Sequence, residues 1–296
     1  MMRSNKFRPK PVPDFTFEAI GTAWRINTAA ELATGVRAAL HNRVDEFDQT
    51  YSRFRCDSLV AGLAEDGGTV EFPEHARPLF DFYRRLYEAT DGSVSPLVGN
   101  VLEHLGYDAR YSLRRRFGPA LVPAWDDVLS ITGTVVTARR PTLLDFGAAG
   151  KGYLVDLVAE LLIANGIENF LIDAGGDLAH RGSLGCLVGL EHPTDPTAVI
   201  GTAQLRNRAL CGSASNRRVW GENLHHIIDP STGEPTDGIT AAWAVAQTAM
   251  VADGLATALF FTDPARLAGD FDFAYVRTPA GGGVEYSTNF EGEFFG

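Results

Sequence analysis

The apolar positions between Glu31 and Tyr51 fall at Leu32, Val36, Leu40, Val44, Phe47 and Tyr51. Steps of three and four put them on one side of a helix, so the spacing predicts an amphipathic helix over 31–51. Glu74 to Ala89 repeats the pattern through Leu79, Phe80, Tyr83, Leu86 and Tyr87 and predicts a second. A third is expected over 149–164, where Leu154, Leu157, Val158, Leu161 and Leu162 share a side and Asn165-Gly166 supplies the stop. A compact apolar helix is expected over 250–261, and Pro96 is placed to open another.

Short apolar runs predict strands over 15–27, 134–138, 143–146, 169–174, 186–190, 198–204, 209–211, 225–228, 241–248 and 273–277. Several are close enough for hairpins, and helices and strands do not alternate strictly. The expected fold class is therefore α+β, with mixed or antiparallel sheets and packed helices, rather than a doubly wound sheet. Residues 108–120 (DARYSLRRRFGPA) read as a basic, solvated loop. With no repeat, linker or low-complexity segment, a single domain is expected over 15–296 after a flexible N-terminus, 1–14.

Composition narrows the function classes. The chain has 296 residues, 45% hydrophobic and 21% charged, so it can bury a large core. A net charge of −11 argues against nucleic acid as a partner. Cys56, Cys186 and Cys211 are odd in number and form no CxxC pair, which disfavours a cysteine zinc site and a disulfide scaffold. The start, MMRSNKFRPKPVPDF, lacks the apolar core of a signal peptide. No run of about 18 apolar residues occurs, so no membrane insertion is expected and the cytoplasm is the simplest location.

Five segments have chemical potential. In LLDFGAAGKGYLVD (143–156), small residues join a strand to a helix that begins near Lys151. Backbone N–H groups there attract anions, and Lys151 adds a cation. The spacing is neither Walker A nor G-x-G-x-x-G, and an ordinary turn with a surface lysine has the same pattern. In VADGLATALFF (251–261), Asp253 and Thr257 are four apart and share a helix face. They form either a hard-oxygen site suited to Mg²⁺ or a first-turn charge with a packed hydroxyl. In LHHIIDPSTGEPT (224–236), His225 and His226 would point to opposite faces of a strand, so at most one reaches a pocket. In LIDAGGDLAHRG (171–182), Asp173 and Asp177 flank a Gly175-Gly176 turn and either serve a site or bond the turn. In CGSASNRR (211–218), Ser213 is a poor hydrolase nucleophile, since no G-x-S-x-G exists; a phosphate contact or a plain loop both fit.

In this order the segments resemble the FAD:protein FMN transferase family, the ApbE-like flavin transferases. The matching stretches are FEAIGTAW (17–24), SRFRCDS (52–58), DGSVSPLV (91–98) and LDFGAAGKGYLVD (144–156). They continue with DAGGDL (173–178), CGSASNRR (211–218), HHIIDPSTGEPT (225–236) and ADGLATALFF (252–261). Each is modest alone, and the ordered set is specific. The resemblance implies an α+β fold of two intimately joined halves with the flavin nucleotide between them. It implies Mg²⁺-dependent transfer of FMN from FAD, as substrate, to a threonine hydroxyl of an acceptor flavoprotein, with AMP leaving. It leaves open an FAD pyrophosphatase or a non-catalytic FAD-binding protein.

By motif position, the resemblance implies that Asp253, Thr257 and a backbone carbonyl at Ala148 hold Mg²⁺. Asp253 and Lys151 would be the catalytic groups, with Lys151 near the phosphates or the incoming hydroxyl. Ile20, Phe54, Thr90, Asp91, Ser93, Asp145, Ser213 and His226 would contact FAD. Two departures from the family pattern stand out. Ile20 replaces a usual methionine. Gly212-Ser213-Ala214, then Asn216 and Arg218, replaces a Thr-Ser-Gly followed by an aromatic and an arginine.

Overall fold

A computed structural model describes residues 14–221 and 224–295. Apart from Asp14, the expected flexible N-terminus lies outside the described residues. In chain order the elements begin β1 (Asp14–Ala19), β2 (Thr22–Thr28), α1 (Thr34–Tyr51), α2 (Leu59–Asp66), β3 (Gly68–Glu71), α3 (Arg77–Ala89), α4 (Gly99–His104) and α5 (Trp125–Val128). Next come β4 (Leu129–Thr132), β5 (Val135–Ala138), α6 (Gly150–Ala164), β6 (Phe170–Asp173), β7 (Asp177–Arg181), β8 (Cys186–Glu191), β9 (Val199–Leu205) and β10 (Ala209–Ala214). The chain ends with β11 (Ile228–Asp229), β12 (Glu234–Pro235), β13 (Ile239–Ala246), α7 (Ala249–Ala258), α8 (Pro264–Leu267), β14 (Ala274–Pro279), β15 (Glu285–Tyr286) and β16 (Gly292–Phe294).

The α+β expectation holds, and every pairing among the described strands is antiparallel. The main sheet has eight strands in the order β1-β2-β6-β7-β10-β13-β14-β15, so strands from both ends of the chain share it. β13 shows how it is covered. Its Ala242, Ala244 and Ala246 face the main core with α6 and α7, while Ala241, Trp243 and Val245 face a second core. Period-two alternation splits one strand between two cores. The second core is closed by the three-stranded sheet β16-β9-β8, with Leu190, Ala203 and Leu205 buried in it. Helices, main sheet and small sheet thus form three layers.

The helical stripes behave as their spacing predicts. Leu40, Val44, Phe47 and Tyr51 of α1 are buried, as are Leu79, Phe80, Tyr83 and Leu86 of α3. Pro96 opens a short 3₁₀ turn that leads into α4.

Three strand expectations need correction. Residues 15–27 are two strands, because Ile20 and Gly21, with φ of 44° and 72°, turn the chain into a β1–β2 hairpin. Leu143–Phe146 joins no sheet: Leu143 N–H donates to Asn100 Oδ1 and Asp145 N–H to the Pro96 carbonyl, each at 2.8 Å. Its donors are satisfied by loop partners instead of a ladder. His225–Ile228 also forms no strand beyond Ile228, which pairs with Pro235 in the short β11–β12 hairpin. Among the described residues no helix is long and apolar enough to cross a membrane.

Candidate functional site

A cavity of about 1020 Å³ opens between the main sheet, the small sheet and the loops that follow α1 and precede α6. That is the upper end of the range for ligand pockets, about 300–1,000 Å³. Its floor is the crossing of α6 and α7. α7 is buried nearly all round by Ala249, Ala252, Leu255, Ala256 and Ala258, and a carboxylate on such a helix needs a partner. Asp253 is 4% exposed, and its Oδ2 accepts the Gly152 N–H at 2.9 Å. Burial first, then the negative charge of Asp177, pushes its carboxyl well above the usual range. Among the described residues its second oxygen takes no protein hydrogen bond.

One turn further on, Thr257 also lines the cavity, with its Oγ1 3.2 Å from the Ser213 hydroxyl on β10. Ala148, in the turn before α6, lines the same space. A carboxylate with one free oxygen, a hydroxyl and a turn carbonyl make a hard-oxygen donor set. It fits a small dication that keeps water or phosphate oxygens as its other ligands.

Lys151 is also in the cavity wall, but it is not free. Its ammonium pairs with Asp177, which is fully buried on β7. Burial alone would lower the lysine pKa; the carboxylates of Asp177 and Asp253 outweigh it and hold the ammonium above its usual value. Asp177 was a turn-or-site alternative from the sequence, and the structure makes it the lysine's counter-charge. Asp173 does bond its turn, accepting the Gly176 N–H at 3.2 Å.

Asp145 faces the cavity from the loop before α6. It accepts from Arg53 Nε at 2.5 Å and from the Gly147 N–H at 2.7 Å. Arg53 is itself buried, donates to the Tyr107 carbonyl at 2.7 Å, and stacks over Phe54 at 4.1 Å and Tyr107 at 4.9 Å. Phe54 in turn stacks on Tyr111, with centroids 5.4 Å apart and planes 4° from parallel. Phe54, Tyr107 and Tyr111 line the cavity as an aromatic wall.

Ile20, in the β1–β2 turn, also lines the cavity. A β-branched residue at φ 44° is a strained exception, and such strain concentrates at functional positions. Ser93 also borders the cavity. Of the two histidines only His226 lines it; His225 is buried against the Thr236 carbonyl at 2.9 Å. His226 Nδ1 lies 3.2 Å from the Arg217 carbonyl, which can only accept, so Nδ1 carries the hydrogen and Nε2 the lone pair. Burial, then the nearby Arg218 guanidinium, lowers its pKa to about 3, so the ring is neutral at pH 7.

Two expected contacts lie elsewhere. Thr90 is buried at the end of α3, where its hydroxyl donates to the Leu86 carbonyl at 2.7 Å and accepts the Val94 N–H at 3.0 Å. It builds the turn and does not border the cavity. Asp91 points away and pairs with Arg266. Sequence reasoning in turn passed over Arg53, Tyr107 and Tyr111. The only signal for them was a pair of arginines and a tyrosine-bearing basic loop.

Comparison with known proteins places the chain among relatives of one family. The ApbE family model matches residues 20–269. The FAD:protein FMN transferase of Escherichia coli (strain K12) is 25% identical over 277 residues, 83% of this chain and 77% of that protein. The one from Rhodobacter capsulatus is 30% identical over 272 residues, 84% of this chain and 51% of that protein. Among solved structures, the ApbE protein of Thermotoga maritima matches with a TM-score of 0.80 at 24% identity, covering 94% of this chain and 97% of that one. Flavin transferase ApbE from Vibrio cholerae matches with a TM-score of 0.77 at 19% identity, covering 94% and 96%. With a family match spanning nearly the whole described chain and the same fold in solved members, this protein belongs to the ApbE family.

Proposed function

We propose that this protein is an FAD:protein FMN transferase that moves FMN from FAD to a threonine hydroxyl of an acceptor flavoprotein and releases AMP. The observation that carries the reading is that Asp145 and Lys151, His226, and Asp253 and Thr257, from three distant stretches of the chain, all face one large cavity with an aromatic wall. The aromatic wall suits the isoalloxazine ring, and the α6–α7 crossing suits the diphosphate.

Asp253, Thr257 and the Ala148 carbonyl would hold Mg²⁺, which when bound neutralises diphosphate oxygens. In the proposed step the threonine oxygen forms a bond to the phosphorus of the FMN half, and the bond from that phosphorus to the bridging oxygen breaks. AMP leaves with that oxygen. His226 Nε2 would accept the hydroxyl proton, the bound diphosphate beside the ring offsetting the burial and the Arg218 charge that otherwise keep it a weak base. Lys151 orients the phosphates, and the Arg53–Asp145 pair fixes the pocket edge against which the nucleotide rests.

The test is purified protein with FAD, Mg²⁺ and a candidate acceptor flavoprotein, read by intact mass. The expected result is a covalent gain on the acceptor equal to FMN less water, lost on Thr→Val substitution of the acceptor. Release of free FMN and AMP with no gain on any acceptor would favour the pyrophosphatase reading, in which water takes the threonine's place.

A further inference from the structure

We infer that Lys151, held in place by Asp177, is a resident counter-ion of the metal pocket that makes divalent-cation binding depend on the bound nucleotide. The inference rests on the reading above that Asp253 and Thr257 hold the cation.

One turn of α6 addresses two buried carboxylates. The Gly152 N–H holds Asp253 Oδ2, and the ammonium of the preceding residue, Lys151, pairs with Asp177 Oδ2. Asp177 is 0% exposed, and its Oδ1 has no hydrogen-bond partner among the described residues. A fully buried carboxylate with an orphaned oxygen is costly, and a role in packing alone does not explain it. The ammonium pairs directly with Asp177, and the negative charge of Asp253 also favours its protonated form. Once a cation holds Asp253 ionised, these two carboxylates and the Lys151 ammonium carry a single net negative charge among them at the α6–α7 crossing.

That balance has a consequence for metal binding. A dication entering the pocket alone meets one net negative charge and few protein oxygens, too little to offset its loss of hydration. A diphosphate brings further negative charge and ligand oxygens, and it gives Lys151 a second anion to contact. Nucleotide and cation then bind with mutual enhancement, and by linkage each raises the other's affinity by the same factor. Departure of AMP removes half of that anion and loosens the cation with it. Asp177 acts here as a positioning residue: it touches neither substrate nor metal and sets the charge and place of Lys151.

The test is a charge series read by Mn²⁺ binding, using the electron paramagnetic resonance of free Mn²⁺ with and without FAD. Wild type should bind Mn²⁺ weakly alone and tightly with FAD. Lys151→Met, which makes the pocket more negative, should bind Mn²⁺ without FAD at least about tenfold more tightly than wild type. Asp177→Asn, which makes it neutral, should bind Mn²⁺ in the FAD complex at least about tenfold more weakly. The double variant restores the net charge and should return close to wild type. Lys151→Met strands a buried carboxylate; if it does not fold, Asp177→Asn and the double variant still carry the comparison. Equal affinities across the series, with Asp253→Ala still abolishing Mn²⁺ binding, would overturn the counter-ion role and leave the metal site standing. Mn²⁺ binding indifferent to Asp253→Ala would overturn the metal site itself and this inference with it.

Discussion

The Gly152 N–H and the Asp253 carboxylate meet at 2.9 Å where α6 crosses α7. The contact is possible because residue 152 has no side chain. A Cβ there would sit 2.7 Å from Asp253 Cβ and collide with the Ala249 carbonyl oxygen. Gly152→Ala is therefore expected to force the helices apart and lower unfolding free energy by about 2–3 kcal/mol in urea titrations. It should also weaken Mg²⁺-dependent AMP release, because Asp253 moves with α7.

Asp253 and Thr257 should separate by magnitude. Asp253→Ala removes the charged oxygen donor and is expected to lower Mg²⁺-dependent turnover by at least about a hundredfold. Thr257→Val removes a neutral hydroxyl and should cost about tenfold. Circular dichroism should show both variants folded. AMP release from FAD across a Mg²⁺ titration is the measurement, and a wild-type Mg²⁺ response in Asp253→Ala would place the metal elsewhere.

Ile20 combines a left-handed backbone with a place in the cavity lining. Asparagine tolerates that backbone and, before Gly21, gives a favoured hairpin turn. Ile20→Asn is expected to raise stability by about 1 kcal/mol while weakening FAD binding through the lost apolar contact. Thermal melts and calorimetric FAD titration read the two effects separately. A variant that is less stable yet binds FAD normally would mean that Ile20 serves packing alone.

Asp156, behind the start of α7, supplies a pH-dependent element of the floor. Its two oxygens accept the N–H groups of Ala249 and Met250, each at 2.8 Å, at the start of α7. Burial outweighs those bonds and raises its pKa to about 7. Between the unfolded carboxyl pKa, about 4, and the folded one, the folded chain binds the extra proton. Raising the pH across that window therefore removes stability, at most about 1.4 kcal/mol per pH unit. Asp156→Asn should flatten this slope between about pH 4 and pH 7 in chemical denaturation series. An unchanged slope would assign the pH dependence to other groups.

Local pattern determined the parts of this protein that local physics builds. The stripes of α1, α3 and α6 were legible because a helix brings residues three and four apart to one face. The same rule put Asp253 and Thr257 together before any fold was known. The turn at Ile20-Gly21 was illegible because isoleucine carries no turn signal, so two strands read as one. β7 was missed because its five residues, with Asp177 at one end, look like part of a polar turn.

Tertiary structure alone decided which charges face each other. Arg53 and Asp145 are 92 residues apart in sequence, and the spacing of one carries no trace of the other. Lys151 read as an open cation at a helix start until β7 laid Asp177 against it. Thr90 and Asp91 share a motif with Ser93, yet the end of α3 uses Thr90 for its turn, turns Asp91 toward Arg266, and leaves only Ser93 at the cavity. Periodicity records which side of an element is buried; which distant charge meets it there depends on how the layers pack, because a buried ion is tolerated only where a partner arrives.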